Sequence, residues 1–168
     1  MIPVMRRGRQ ALPQAVCEEI LTRSTAGVLA LADADGFPYT VPLSYLYQEG
    51  KIWFHCARAG YKLDLMRQNP RASFCVIGQD QVVPEEYTTY YRSVVARGTL
   101  REVTDPAVRE DIARRLGRKY APAQPEEALE AELRQYRDAV CILELTVEQL
   151  TGKEGSQLAR QRRGEAQL

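Results

Sequence analysis

From residue 39 to residue 47 every odd position is bulky (Tyr39, Val41, Leu43, Tyr45, Tyr47), while Thr40, Pro42, Ser44 and Leu46 are smaller or more polar. A period of two sends successive side chains to opposite faces of an extended chain, so this stretch reads as a two-sided strand. Gln48-Glu49-Gly50 then turns the chain into residues 51–57, where Ile52, Phe54 and Cys56 share one face and Trp53, His55 and Ala57 the other. Two alternating strands joined by a short turn commit this region to antiparallel pairing.

The rest of the chain carries the same kind of signal. Residues 27–32 are a continuous small-apolar run closed by the turn Asp33-Ala34-Asp35-Gly36. Further strands are expected at 72–77, at 93–103 with a bend at Gly98, and at 140–147. Residues 78–89 read as a polar loop. Helical spacing appears after Pro13, ending near Ser24, and again over 60–68, where Leu63 and Met66 point inward and Asn69-Pro70 stops the helix. Asp105-Pro106 opens a helix to about Tyr120, with Val108, Ile112 and Leu116 inward and Asp111 and Arg115 paired outside. A second charged helix covers 126–136, its stripe being Leu129, Leu133 and Tyr136. The expectation is a mainly β fold: a closed barrel of about six antiparallel strands with peripheral helices. Residues 1–10 read as a basic arm, 11–155 as one domain, and 156–168 as a mobile tail with no clear period.

At 168 residues, 45% hydrophobic and 27% charged, the chain has the profile of one folded domain. Its 23 Lys and Arg against 22 Asp and Glu leave a net charge of +1, which gives no electrostatic footprint for nucleic acid or an anionic membrane. No apolar run is long enough to span a bilayer, and no apolar stretch follows Arg6, Arg7 and Arg9, so a cytoplasmic protein is expected. Cys17, Cys56, Cys75 and Cys141 stand singly among apolar neighbours, which suits small buried side chains in a reducing compartment better than a disulfide framework or a zinc site.

His55 is the only histidine. No second imidazole is available for a metal shell, no serine sits in a nucleophile-elbow motif, and neither GxGxxG nor a P-loop is present. Hydrolase and kinase chemistry are therefore poor fits, and any redox activity would come from a cofactor. His55 closes a strand just before Gly60-Tyr61-Lys62, where a glycine-led helix start offers unpaired N–H groups and a positive helix end to an anion. A sheet-edge histidine beside a solvated lysine would give the same pattern.

Several segments in order carry a resemblance: Met5-Arg6-Arg7, Gly27-Val28-Leu29-Ala30, Gly36-Phe37-Pro38-Tyr39-Thr40-Val41-Pro42-Leu43-Ser44-Tyr45, Phe54-His55-Cys56-Ala57, Gly60-Tyr61-Lys62 and Asn69-Pro70. Ser93-Val94-Val95-Ala96-Arg97-Gly98 and Leu150-Thr151-Gly152-Lys153-Glu154 extend it to about residue 155. The chain resembles the nitroimidazole-resistance proteins, within the pyridoxamine phosphate oxidase-like FMN-binding split barrels. That resemblance implies a homodimer with FMN at the subunit interface and a small-molecule substrate such as a nitroaromatic compound. It implies that Tyr61 and Lys62 hold the FMN phosphate and that His55 stands beside the flavin as the catalytic residue. Pro42, Leu43, Ser44 and Tyr45 would run along the isoalloxazine edge, and Cys56, Ala57, Ser93 and Lys153 would lie near the cofactor. A non-catalytic flavin- or haem-binding sensor of the same fold is the alternative. Cys56 departs from the hydroxyl or alanine expected at its place.

Overall fold

The computed structural model describes residues 5–164; the first four residues of the expected arm and the last four of the expected tail lie outside them. Seven strands follow the chain as β1 (Ala26–Ala32), β2 (Pro38–Ser44), β3 (Leu46–Gln48), β4 (Lys51–Ala57), β5 (Arg71–Val83), β6 (Thr88–Glu102) and β7 (Val140–Glu154). Five helices accompany them: α1 (Gln14–Arg23), α2 (Tyr61–Gln68), α3 (Pro106–Tyr120), α4 (Glu126–Tyr136) and α5 (Ser156–Arg162). The strands form one sheet in the order β2-β1-β5-β6-β7-β4-β3, with every neighbouring pair antiparallel.

The first and last strands of that row are consecutive in sequence, separated only by Tyr45. The sheet must therefore roll until its two ends meet at one residue, yet the hydrogen-bonded ladder does not close. The expected mainly β fold of about six antiparallel strands is present as a sheet of seven, rolled and open where a closed barrel was expected. The run 39–47 is one alternating pattern in sequence, but the chain changes partner within it, from β1 to β4. Side-chain alternation does not record which strand the backbone bonds to, so the pattern alone merges β2 and β3.

Tyr45 is fully buried, and its hydroxyl donates to the Leu21 carbonyl at 2.7 Å. Its backbone N–H donates to the Tyr120 hydroxyl at 2.7 Å, and its carbonyl accepts from Lys119 Nζ at 3.0 Å. The Tyr120 hydroxyl lies 2.8 Å from that carbonyl and 2.5 Å from the Thr25 carbonyl and shares one proton between them, so Tyr120 and Lys119 together satisfy the backbone groups at the break between strands. The Tyr45 ring meets Phe74 edge to face, and Phe74 meets Phe54 in the same way, at centroid distances of 4.9 and 5.0 Å.

The inner side of the sheet is lined by Leu29, Leu31, Phe54, Phe74, Val94 and Leu143, with Ile20 and Leu21 of α1 and Leu63 and Leu65 of α2 packed into the same core. A smaller cluster forms on the outer side of β4 and β7, where Ile112 and Leu116 of α3 cover Trp53 and Ile142. Asp105 caps α3 by accepting from the N–H groups of Ala107 and Val108, as the sequence suggests. The bend expected at Gly98 is a register shift against β7, and a Cβ there would fall inside the Thr146 carbonyl oxygen.

Two further expectations are corrected. Residues 78–89 are not a loop: β5 and β6 continue pairing to Val83 and Thr88 past a bulge after Ile77. The hairpin projects past the core, so both of its faces can be polar and no apolar alternation marks it. Residues 156–162 are a packed helix rather than a mobile tail, with Leu158 and Ala159 buried. Arg162 Nε lies 2.6 Å from Glu154, which is fully buried and also paired with Arg92 at 3.2 Å. Two apolar residues are too few to set a period, and the anchoring ion pair leaves no mark on hydropathy. The residues that follow the arm join the same end: Leu12 N–H donates to the Gly152 carbonyl at 3.0 Å, and Arg162 donates to the Ala11 carbonyl at 3.0 Å.

Truncation after Gly155 removes the buried Leu158 and leaves Glu154 with one cation. Burying a leucine contributes about 1.5–3 kcal/mol, and breaking a buried ion pair costs more. The melting temperature should drop by at least about 5 °C in differential scanning calorimetry; an unchanged midpoint would show that α5 does not contribute to the fold.

Candidate functional site

Alternation along β4 turns Ile52, Phe54 and Cys56 into the core and leaves His55 exposed on the outer side, opposite Ile142 of β7. Beyond Ala57 the chain stays in solvent through Arg58, Ala59 and Gly60 and then enters α2. Gly60 has φ of +136°, a region that side chains rarely adopt, and a Cβ there would meet nothing. Its glycine is required by backbone conformation and not by crowding. No side chain caps α2. The N–H groups of Leu63 and Asp64 bond back to the Gly60 carbonyl, while those of Tyr61 and Lys62 have no backbone partner among the described residues.

Lys62 is half-buried and makes no ion pair among the described residues. A cation in the first turn of a helix opposes the helix dipole; Asp64 shares that turn but pairs with Arg67, so Lys62 and the unsatisfied N–H donors stand together at this helix start. Tyr61 packs edge to face on Tyr39 at 5.2 Å, which ties the start of α2 to β2. β2 pairs with β1 alone, so its other edge is open. The strand end, the helix start and the open edge can receive a phosphate-bearing ligand with a flat ring system, and the donor set fits the FMN that the sequence suggests.

The structure sorts the other candidates. Pro42 and Ser44 lie exposed on β2 and Ala57 lies exposed beside His55. Leu43 turns inward against the core. Tyr45 is a core residue whose hydroxyl, N–H and carbonyl are all engaged. Cys56 also turns inward, with its thiol 3.2 Å from that of Cys141 on the facing strand; burial and the neighbouring thiol push it up to about 12. Ser93 and Lys153 face each other across β6 and β7. His55 pairs at Ile142, so Lys153 stands eleven residues further along β7, roughly 35 Å of strand. One chain therefore does not bring the two groups together. Among the described residues no three His, Cys, Asp or Glu side chains gather to hold a metal ion, and no helix is long and apolar enough to cross a membrane.

Two features escape sequence reasoning. Trp53, two positions before His55 on the same side, keeps its buried Nε1 without a hydrogen-bond partner. Opposite Trp53 lies the buried Glu144, 3.2 Å from Lys51 Nζ and 2.9 Å from Arg101. Its partners come from β4 and β6, so only the strand pairing reveals them. Two open clefts, of about 490 and 670 Å³, lie elsewhere; neither is lined by His55, Lys62, Ser93 or Lys153.

An open rolled sheet with these helices is the split-barrel architecture, and solved structures with this fold include flavin-binding proteins. The family model described as pyridoxamine 5'-phosphate oxidase matches residues 13–154, and the chain belongs to that family. A conserved hypothetical protein from Mycobacterium tuberculosis matches with TM-score 0.79 at 18% identity, covering 98% of this chain and 96% of that one. A candidate 5-nitroimidazole antibiotic resistance protein from Bacteroides thetaiotaomicron matches with TM-score 0.73 at 20% identity, covering 86% of each chain. An FAD-binding protein from Mesorhizobium loti matches with TM-score 0.60 at 27% identity, covering 88% of this chain and 98% of that one. No curated protein sequence matches.

Glu144 generates a pH prediction. Burial alone raises its carboxyl, but hydrogen bonds and charge from Lys51 and Arg101 outweigh this and hold it below the usual carboxylate range. A depressed folded value contributes stability above the unfolded value of about 4.3 and loses it as pH falls through the folded one. Urea midpoints should therefore fall more steeply below about pH 5 in the parent protein than in Glu144→Gln. Parallel curves would remove Glu144 from the acid response.

Proposed function

We propose that this chain binds FMN at the interface of a homodimer and reduces small electrophilic molecules, nitroaromatic compounds among them. The observation that carries the reading is the uncapped, glycine-led start of α2 with Lys62 in its first turn, placed directly after the exposed His55. The names of its structural relatives agree with it: one is described as an FAD-binding protein and another as a candidate nitroimidazole resistance protein.

In this reading Tyr61 and Lys62 hold the phosphate through their free N–H groups, and the Lys62 ammonium adds a charge-assisted bond. The open edge of β2, with Pro42 and Ser44 outward, flanks the flat ring system. Pro42 has no N–H to give to a ladder, which an edge strand tolerates. When bound, FMN carries the electrons taken from an external reductant. His55 would stand beside it, where its imidazole can pass a proton to the molecule being reduced. α3 and the outer cluster beneath it hold β4 in place, and with it His55.

Two observations support a second copy. His55 and Lys62 lie at one end of β7, while Ser93 and Lys153 lie at the other. An outer stripe runs across the sheet through Pro42, Val28, Cys75, Val95 and Thr151, one residue opposite the next. Val28 is 39% exposed and Ile77, two residues from Cys75 on the same face, is 65% exposed. Apolar side chains in this arrangement suit an interface. A two-fold copy on that face would bring one chain's Ser93 and Lys153 toward the other's His55.

Flavin fluorescence quenching tests the reading. The parent protein should bind one FMN per chain, and Lys62→Ala should weaken binding at least about tenfold, as loss of a charge-assisted bond implies. His55→Ala should keep FMN but slow reduction of a nitroimidazole by the reduced protein. Light scattering should give twice the 19.0 kDa chain mass. A flavin-bound monomer would refute the interface placement, and unchanged FMN affinity in Lys62→Ala would refute the phosphate site.

A further inference from the structure

At the end of the molecule where the arm meets α5, a cleft of about 490 Å³ is lined by Arg6, Arg7, Arg9, Arg160, Arg163 and Gln10. The remaining lining is glycine, serine and alanine, with no carboxylate and no aromatic ring among the described residues. Arg163 is engaged, since its guanidinium donates to the Arg9 carbonyl. The guanidinium groups of Arg6, Arg7, Arg9 and Arg160 make no ion pair among the described residues. Elsewhere in the chain many arginines pair with acids, as at Arg92, Arg101, Arg114 and Arg162, and those unpaired among the described residues, such as Arg58, Arg97 and Arg134, stand far apart in sequence. The overall charge is +1, so this concentration is local.

Gln10 supplies an independent observation. It is only 7% exposed, and its buried Oε1 has no hydrogen-bond partner. An unpaired buried amide costs free energy unless a ligand completes it. Amide oxygen and nitrogen exchange by a half-turn, which would place a donor at the same point. The cleft then presents an amide donor within a ring of guanidinium groups.

We infer that this cleft is a binding site for a compact phosphorylated anion carrying at least two phosphoryl groups. Guanidinium forks match phosphate oxygens two at a time, and four of them carry more positive charge than one orthophosphate neutralises. A nucleobase would find no aromatic surface on which to stack. A concave pocket also suits a small anion better than a nucleic-acid backbone, which calls for an extended basic stripe. The cleft lies beside the Ala11–Lys153 bridge, at the end of β7 away from His55, so it is distinct from the phosphate site at the start of α2, although in the proposed dimer it borders the other chain's flavin.

Isothermal titration of the full chain with inorganic pyrophosphate tests the inference. One site per chain is expected, with affinity falling as salt rises from ~0.05 to ~0.15 M. Orthophosphate should bind more weakly. Arg7→Ala and Arg160→Ala should each weaken pyrophosphate at least about tenfold, as expected for loss of a charge-assisted contact. Gln10→Glu should abolish binding while raising the melting temperature, because its carboxylate supplies the missing counter-charge; this arm also guards against misfolding as the cause of lost binding. Protein saturated with FMN should bind pyrophosphate equally well. No saturable binding, or affinity unchanged in both Arg160→Ala and Gln10→Glu, would overturn the site. Loss of pyrophosphate binding on FMN saturation would also overturn it, by assigning the cleft to the flavin phosphate.

Discussion

The architecture depends on one residue that belongs to no strand. Tyr45 separates β2 from β3, the two ends of the sheet, so the whole row of seven strands must roll to accommodate it. A chain break between ladders leaves backbone groups to be satisfied, and here Tyr120 and Lys119 from the end of α3 do so. The side chain adds its hydroxyl bond to Leu21 at the end of α1 and its ring contact with Phe74 of β5. Burial and the neighbouring Tyr120 push the Tyr45 phenol up, so it stays protonated and remains a donor. Three elements thus converge on the seam, and the position of β4, with His55 on its outer side, follows from it.

Much of the fold is legible in the sequence because it rests on local periodicity. Alternation over 51–57 sets both the bounds of β4 and the outward placement of His55. Asp105-Pro106 sets the start of α3, where side-chain capping and a fixed proline φ act within one turn. The sequence does not show partners. Thus β2 and β3 merge, the β5–β6 hairpin passes for a loop, and Glu144 and Glu154 show no sign of the cations that three different elements bring to them. The thiols of Cys56 and Cys141 lie 85 residues apart in sequence but face each other across β4 and β7.

The candidate site is legible in the same uneven way. His55, Gly60 and Lys62 lie within one short segment, where an exposed imidazole, a glycine at positive φ and an uncapped helix start follow one another. Pro42 and Ser44 join them through the open edge of β2. Tyr45 and Cys56 are adjacent in sequence to outward residues but face the core, as strand alternation requires. Ser93 and Lys153 pair with each other across β6 and β7, far along β7 from His55, so one chain does not join them to the site. The arginines of the arm and of α5 lie about 150 residues apart, so their common cleft emerges only from the docking of α5.

The central claim is that the anion site at the start of α2 holds the flavin phosphate. A crystal structure of the protein with FMN tests it most directly. The account predicts the phosphate within about 3 Å of the Tyr61 and Lys62 amide nitrogens, with the ring system along β2 beside His55. A phosphate seated among Arg7, Arg9 and Arg160, or flavin density remote from His55, would contradict it.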